Sequence, residues 1–232
     1  MNVSKGLVIV GNDTEIGKTT IACQIINLLR DNGLKVGAFK PAASGYSDDD
    51  TDGDIRRLID ATGCDLSLDE VCPYRFKDAV APVLAAERLN TIIDDKVIQS
   101  RLDAMIDKSD TVIVETAGGL MSPLSNSIIN LDFCKATGLA ALVVIENRLG
   151  AINQANLVCN ALNHKNQSIA AVVFNQISAD AGSASLLDSN LRMFAASYEK
   201  LFQRKRPACV SVAFNEALRP SFLAELGLLS RR

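Results

Sequence analysis

An apolar run, Leu7-Val8-Ile9-Val10, leads into Gly11-Asn12-Asp13-Thr14-Glu15-Ile16-Gly17-Lys18-Thr19, and that stretch leads into a helix-forming segment from Ile21 to Arg30. Strand, glycine-bearing turn and helix in that order constrain the chain more than any other feature. The N–H groups of such a turn and of the first helical turn point inward, and the helix dipole adds partial positive charge, so the unit holds phosphate. Lys18 supplies a full charge and Thr19 a hydroxyl suited to Mg²⁺. In the strict Gly-x4-Gly-Lys-[Ser/Thr] pattern the first glycine would fall at position 12, which is Asn12. The glycine is Gly11, so this loop is a longer variant. The alternative is a Gly-Lys-Thr helix start that binds nothing.

That first run and three more carry the pattern outward. Gly6 to Val10, Thr111 to Val114, Ala140 to Ile145 and Ile169 to Phe174 are short and almost continuously apolar, as strands covered on both faces must be. Lys35 to Phe39 is a fifth candidate and Ala208 to Val212 a weaker sixth. Helical patterns alternate with them: Lys18 to Asn32, Asp54 to Ala61, Asp94 to Ile106, Ile129 to Thr137, Ile152 to Leu162 and Ala184 to Phe202. Alternation of this kind implies right-handed crossovers, hence an α/β fold with a doubly wound, mostly parallel sheet and helices on both faces. No repeat and no Pro/Gly/Ser linker interrupts it. One domain across residues 1–232 is the expectation.

Ligands of such sheets bind beyond the carboxyl ends of the strands. The unusual polar residues fall there: the phosphate loop, Lys40-Pro41-Ala42-Ala43-Ser44-Gly45, Glu115-Thr116-Ala117-Gly118-Gly119, Glu146-Asn147-Arg148-Leu149-Gly150, and Asn175-Gln176. Two readings stand for Glu115, a carboxylate that holds Mg²⁺ directly or through water, or a structural acid capping a loop amide. Gly118 and Gly119 permit close backbone approach to a ligand, or form a plain tight turn. Lys40 is kept extended by Pro41 and is placed to neutralise a transferring phosphoryl group; the alternative is a solvated lysine. In the acidic stretch Ser47 to Asp54, Asp54 is the best-placed third Mg²⁺ ligand and Asp52 the fallback, with an ordinary N-cap the other role for both. Asn175 reads an adenine edge or serves as a turn former. Leu149-Gly150-Ala151-Ile152-Asn153 opens a helix whose free amides suit a carboxylate, or stay unoccupied.

Composition removes several function classes. A net charge of -3 without a basic run argues against a nucleic-acid partner. The terminal Arg231-Arg232 reads as a solvated end. Apolar runs too short for a bilayer, and an N-terminus lacking a secretory layout, point to a cytoplasmic protein with no membrane partner. The six cysteines (Cys23, Cys64, Cys72, Cys134, Cys159 and Cys209) form no Cys-x-x-Cys pair and read as free thiols in a reducing compartment. His164 is the one histidine and lies in a polar helix end, so the chemistry falls to carboxylates, lysines and a nucleotide.

Taken together, these motifs resemble dethiobiotin synthetases, which are nucleoside-triphosphatase-like proteins of the P-loop group. The resemblance rests on Gly11-x-Asp13-Thr14-Glu15-x-Gly17-Lys18-Thr19, Lys40-Pro41-x-x-Ser44-Gly45, Val114-Glu115-x-Ala117-Gly118-Gly119 with Pro123-Leu124, Leu149-Gly150-x-Ile152-Asn153, and Asn175. It covers roughly residues 6 to 176, and the displaced glycine at position 11 is the family's own form of the loop. It implies an ATP- and Mg²⁺-dependent ligase. The diamine 7,8-diaminononanoate takes up CO2 as a carbamate, ATP converts this to a carbamic–phosphoric anhydride, and the second amine closes the ring. Catalytic roles would fall to Lys18, Lys40, Thr14 and Glu15. ATP would be held by Asp13, Glu15, Ile16, Gly17, Lys18, Thr19, Thr20 and Asn175, and the metal by Thr19, Asp54 and Glu115. The substrate would meet Thr14, Lys40, Ser44 and Gly118. Leu149, Gly150, Ala151, Ile152 and Asn153 would receive its carboxylate from the neighbouring subunit of a homodimer.

The chain departs from the family's pattern in places. Thr116 stands where Gly is usual, Gln154 where His is frequent and Arg148 where Lys is common. The Pro-x-Leu-Gly segment that lines the adenine site has no clear copy in Pro207 to Ser211. Two rival classes remain. A related P-loop amidating ligase would carry an additional glutaminase domain, for which no length remains. A partitioning ATPase would carry a second lysine where Asp13 stands, together with a basic surface.

Overall fold

The computed structural model describes residues 5–47, 49, 51–180 and 184–228, with side chains omitted for 184–186. Asp48 and Asp50 of the acidic stretch, and Arg231-Arg232, lie outside the described residues.

Chain order is β1 (Gly6–Gly11), α1 (Lys18–Asp31), β2 (Val36–Phe39), β3 (Ala42–Ala43), α2 (Asp54–Thr62), α3 (Leu68–Val71), β4 (Tyr74–Arg75), α4 (Pro82–Arg88), α5 (Asp95–Asp107), β5 (Thr111–Glu115), α6 (Asn130–Ala136), β6 (Ala140–Glu146), α7 (Ala151–His164), β7 (Ile169–Asn175), α8 (Ala184–Phe202), β8 (Ala208–Val212) and α9 (Phe222–Glu225). Six strands form one sheet in the order β2-β5-β1-β6-β7-β8, and every pairing in it is parallel. Successive strand side chains point to opposite faces, and all of β1, β2 and β5 are buried, so both faces of the sheet are covered. The expected strands and helices are all present, with ends shifted by a residue or two, and the weaker sixth strand, β8, is confirmed.

The order explains where the site must lie. From β1 the chain crosses β5's place to reach β2, then returns through β5 and passes to the other side of β1 at β6. The direction of winding therefore reverses around β1, which opens a crevice at the carboxyl ends of β1, β5 and β6. Sequence periodicity did not reveal α3, α4, α9 or the two-residue parallel pair β3–β4. Segments so short carry no period to detect. β3 is nevertheless useful, because it holds the chain after Lys40 beside Tyr74 and Arg75, and the Lys40 N–H donates to the Val71 carbonyl at 2.8 Å. Among the described residues no helix is long and apolar enough to cross a membrane.

Candidate active site

The strand tips surround a cleft of about 1100 Å³. Thr14, Glu15, Gly17, Lys18, Thr19, Thr20, Lys40, Ser44, Asp54, Glu115, Gly118 and Asn175 all line it, so most of the expected residues come together. The loop between β1 and α1 is shaped by left-handed backbone at Glu15 (φ 54) and Gly17 (φ 85). A non-glycine residue in that region is uncommon, and it marks Glu15 as held by its surroundings. Gly17 is constrained twice, since a Cβ there would lie 2.2 Å from the Asn175 amide nitrogen. No side chain caps α1, so the amides of its first turn remain open toward the cleft.

The loop after β5 lies directly against this one. Leu120 N–H donates to the Gly11 carbonyl at 2.7 Å, and a Cβ on Gly119 would sit 2.6 Å from the Asn12 carbonyl oxygen. Only glycine fits so close an approach. Buried Asn130, the first residue of α6, fixes the loop by donating to the carbonyls of Ala117 and Gly119. On the far side a buried amide network ties the ends of β6 and β8 to α8: Asn147 donates to Ser211 Oγ at 3.0 Å, and Asn190 donates to Asn147 Oδ1 at 2.9 Å. None of these three asparagines has a sequence signature apart from polarity.

The charged centre is compact. Lys40 is 4 % exposed, and its ammonium donates to Asp54 Oδ2 at 2.5 Å and to Glu115 Oε1 at 2.9 Å. Thr19 Oγ1 donates to the same Glu115 oxygen at 2.9 Å. Burial alone would lower the Lys40 pKa, but the Glu115 and Asp54 charges outweigh it and raise it above the ordinary lysine value. Burial likewise pushes the Asp54 carboxyl up, and Lys40 more than reverses this, leaving it below the usual range. Lys18 behaves oppositely. Burial brings its ammonium down to about 8, Lys40 adds to the fall, and Glu115, Asp54 and Asp13 oppose it. Its Nζ donates to the Asp13 carbonyl.

Among the described residues, Glu115 Oε2 is buried with no hydrogen-bond partner. An orphaned carboxylate oxygen beside a second carboxylate and a hydroxyl is a donor set for a small hard cation, which keeps most of its water and needs few protein ligands. Thr19, Asp54 and Glu115 thus fit Mg²⁺.

Several expected residues stand elsewhere. Leu149, Gly150, Ala151, Ile152 and Asn153 do not line this chain's cleft; Leu149 is 78 % exposed and Ala151 fully buried. The Ile16 side chain is buried under the loop and outside the cleft lining, and its carbonyl accepts from Asn175 Nδ2 at 3.0 Å. Asn175 therefore spends one N–H on the loop. Asp13 is exposed and folds back to accept from the Thr14 N–H at 2.8 Å, outside the cleft lining. Asp54, not Asp52, reaches Lys40. Pro207 to Ser211 leads into and forms β8, and the stretch that lines the cleft is the next one, Ala213 to Ala217. Its turn is held by Gln24, whose amide donates to the Glu216 carbonyl and accepts from the Leu218 N–H. Gln24, Arg57 and Phe214 line the cleft without having been singled out from sequence.

An AAA domain family model matches residues 5–212. The ATP-dependent dethiobiotin synthetase BioD of Akkermansia muciniphila is 36% identical over 173 residues, 75% of this chain and 79% of that protein. The Anaeromyxobacter sp. protein of the same name is 33% identical over 74% of this chain and 77% of its own length. The Bacillus subtilis one is 33% identical over 75% of both.

Proposed function

Because the chain belongs to the dethiobiotin synthetase family, we propose that it closes the ring of dethiobiotin from 7,8-diaminononanoate and CO2, converting ATP to ADP and phosphate. The observation that carries this reading is the cluster of buried Lys40, Glu115 and Thr19 with half-exposed Asp54, facing the loop that holds Lys18. Such a cluster has no structural need for two acids and a lysine at a strand tip, yet it suits phosphoryl transfer, where positioning and charge neutralisation do most of the work.

In the proposed course, one amine of the substrate adds to CO2 and loses a proton, giving a carbamate. A carbamate oxygen attacks the γ-phosphorus, and ADP departs. The second amine attacks the carbamoyl carbon, phosphate departs, a proton is lost and the ring is closed. Thr14 and Glu15 stand at the cleft edge to orient the amine and carbamate. Lys18 and Lys40 balance charge on the phosphates and the anhydride, and Ser44 offers a hydroxyl to the same oxygens. Mg²⁺, held by Thr19, Asp54 and Glu115, would draw negative charge from the β- and γ-phosphate oxygens.

The uncapped start of α7 supports a role in a neighbouring cleft. Gly150 is left-handed (φ 93), no side chain takes the first amides, and Asn153 is exposed beside Leu149. We assign this helix start to the substrate carboxylate across a homodimer interface, and the whole of residues 1–232 to one ATP-binding ligase domain. All six cysteines are free, which supports the cytoplasm as its compartment.

The deciding assay follows phosphate release from ATP. It should require the diamine and bicarbonate together. Turnover indifferent to both, or stimulated by DNA or lipid instead, would replace this reading with that of a partitioning switch.

A further inference from the structure

Helix α2 delivers Asp54 to the charged centre from its first residue, and Arg57, three residues on, shares that side of the helix. Arg57 lines the cleft and is only partly exposed. Its Nη2 donates to Thr20 Oγ1 at 3.0 Å. Asp54 acts on Arg57 through space without forming an ion pair, and among the described residues no carboxylate pairs with the guanidinium. The scheme above gives this charge no task. A partly buried guanidinium without a carboxylate, bound to one hydroxyl through one of its five N–H groups, has donors left for an oxyanion.

Thr20 tells which oxyanion. Lys18 and Thr19 precede it on α1, and Thr19 turns toward Glu115. Successive helix residues are rotated by about 100° around the axis. Thr20 therefore stands on a different side of the helix start from Thr19, still beside the open first-turn amides, and it holds the guanidinium there. Two independent anion-attracting features converge there: the uncapped N-terminus of a 14-residue helix and an arginine without an ion pair among the described residues.

We propose that Arg57 is a nucleotide-binding residue that contacts the α-phosphate, from the Thr20 side of the helix start, while Thr19 faces Glu115. The proposal rests on the reading that this cleft takes ATP. The bridging hydroxyl of Thr20 orients the guanidinium, and the contact is made equally by ATP, ADP and AMP.

Calorimetric titration of the full-length protein with ATP, ADP, AMP and adenosine tests it, using Arg57→Ala, Arg57→Lys and Arg57→Gln. Gln offers a shorter, neutral amide in place of the guanidinium, so it tests whether the charge is needed; thermal melting of each variant checks folding. Expected is a loss of about tenfold or more for ATP, ADP and AMP alike in Ala and Gln, partial recovery in Lys, and unchanged adenosine binding. Full affinity in Gln would show that the charge is not needed. Loss confined to ATP would move the contact to the γ-phosphate, and equal loss for adenosine would mean that the cleft had collapsed; each result overturns the proposal. Phosphate release that still requires diamine and bicarbonate in these variants would leave the assigned reaction intact.

Discussion

Binding of ATP should draw a proton onto Lys18. In the free protein this ammonium is buried beneath the loop and its pKa falls to about 8, chiefly through burial. A bound triphosphate supplies several negative charges beside it and restores the charged form across the accessible range. The uptake follows from the titration curve: about 0.1 proton at pH 7, about 0.5 at pH 8 and about 0.9 at pH 9. Isothermal titration of ATP in two buffers of different ionisation enthalpy gives this number directly. Lys18→Arg keeps the charge without a titration in this range, and the uptake should vanish in it. The same shift governs the free protein's stability. Because the folded value lies below the ordinary 10.5, the unfolded chain holds more protons between the two, so stability rises with pH across that window by about 3 kcal/mol. Zero uptake at pH 9 in the wild type, or equal uptake in Lys18→Arg, would refute the assignment of Lys18 as a buried cation waiting for an anion.

Lys40→Met should destabilise the free protein by about 3 kcal/mol in urea denaturation at neutral pH, because it strands buried Glu115; the half-exposed Asp54 adds little. The Lys40 pKa is raised, so its stabilising share is complete below the ordinary lysine value and is lost only in strong alkali, whereas that of Asp54, whose pKa is lowered, is lost as pH falls into the acid range; a change below about 1 kcal/mol would contradict the buried pair. Gly17→Ala should weaken ATP binding about tenfold or more, since its left-handed backbone and the 2.2 Å approach to Asn175 force the loop to shift; nucleotide titration at wild-type affinity would oppose this. Asn153→Ala should raise the KM for the diamine about tenfold and leave ATP affinity within a factor of about two; a parallel loss of ATP affinity would detach the α7 start from the substrate.

Much of the site was legible before any fold was known because its chemistry is local. Gly11 to Thr19 announces a phosphate loop through contiguous residues, and the polar clusters after the strands follow from where buried strands must end. Pairing between clusters was less legible. That Lys40 bridges Asp54 and Glu115 depends on β2 lying beside β5, an order set by the crossover and not by any short motif. Nothing in the sequence distinguishes Arg57 from Arg56 before it, and only the packing of α2 on α1 reveals its neighbour Thr20. The adenine-side segment was sought in Pro207 to Ser211, whereas β8 occupies that stretch and turns the following five residues into the cleft. Asn130 was invisible, and Asn147 stood out only as part of a polar cluster, for the same reason: a buried amide is defined by what it bonds to, and those carbonyls are remote in sequence.

The most direct test of the account is mass analysis of the product formed from 7,8-diaminononanoate, ATP, Mg²⁺ and carbon-13 bicarbonate. The account predicts a cyclic urea that exceeds the diamine by one labelled carbonyl less two hydrogens, formed in step with ADP. ADP accumulating while the diamine is recovered unchanged and unlabelled would contradict it.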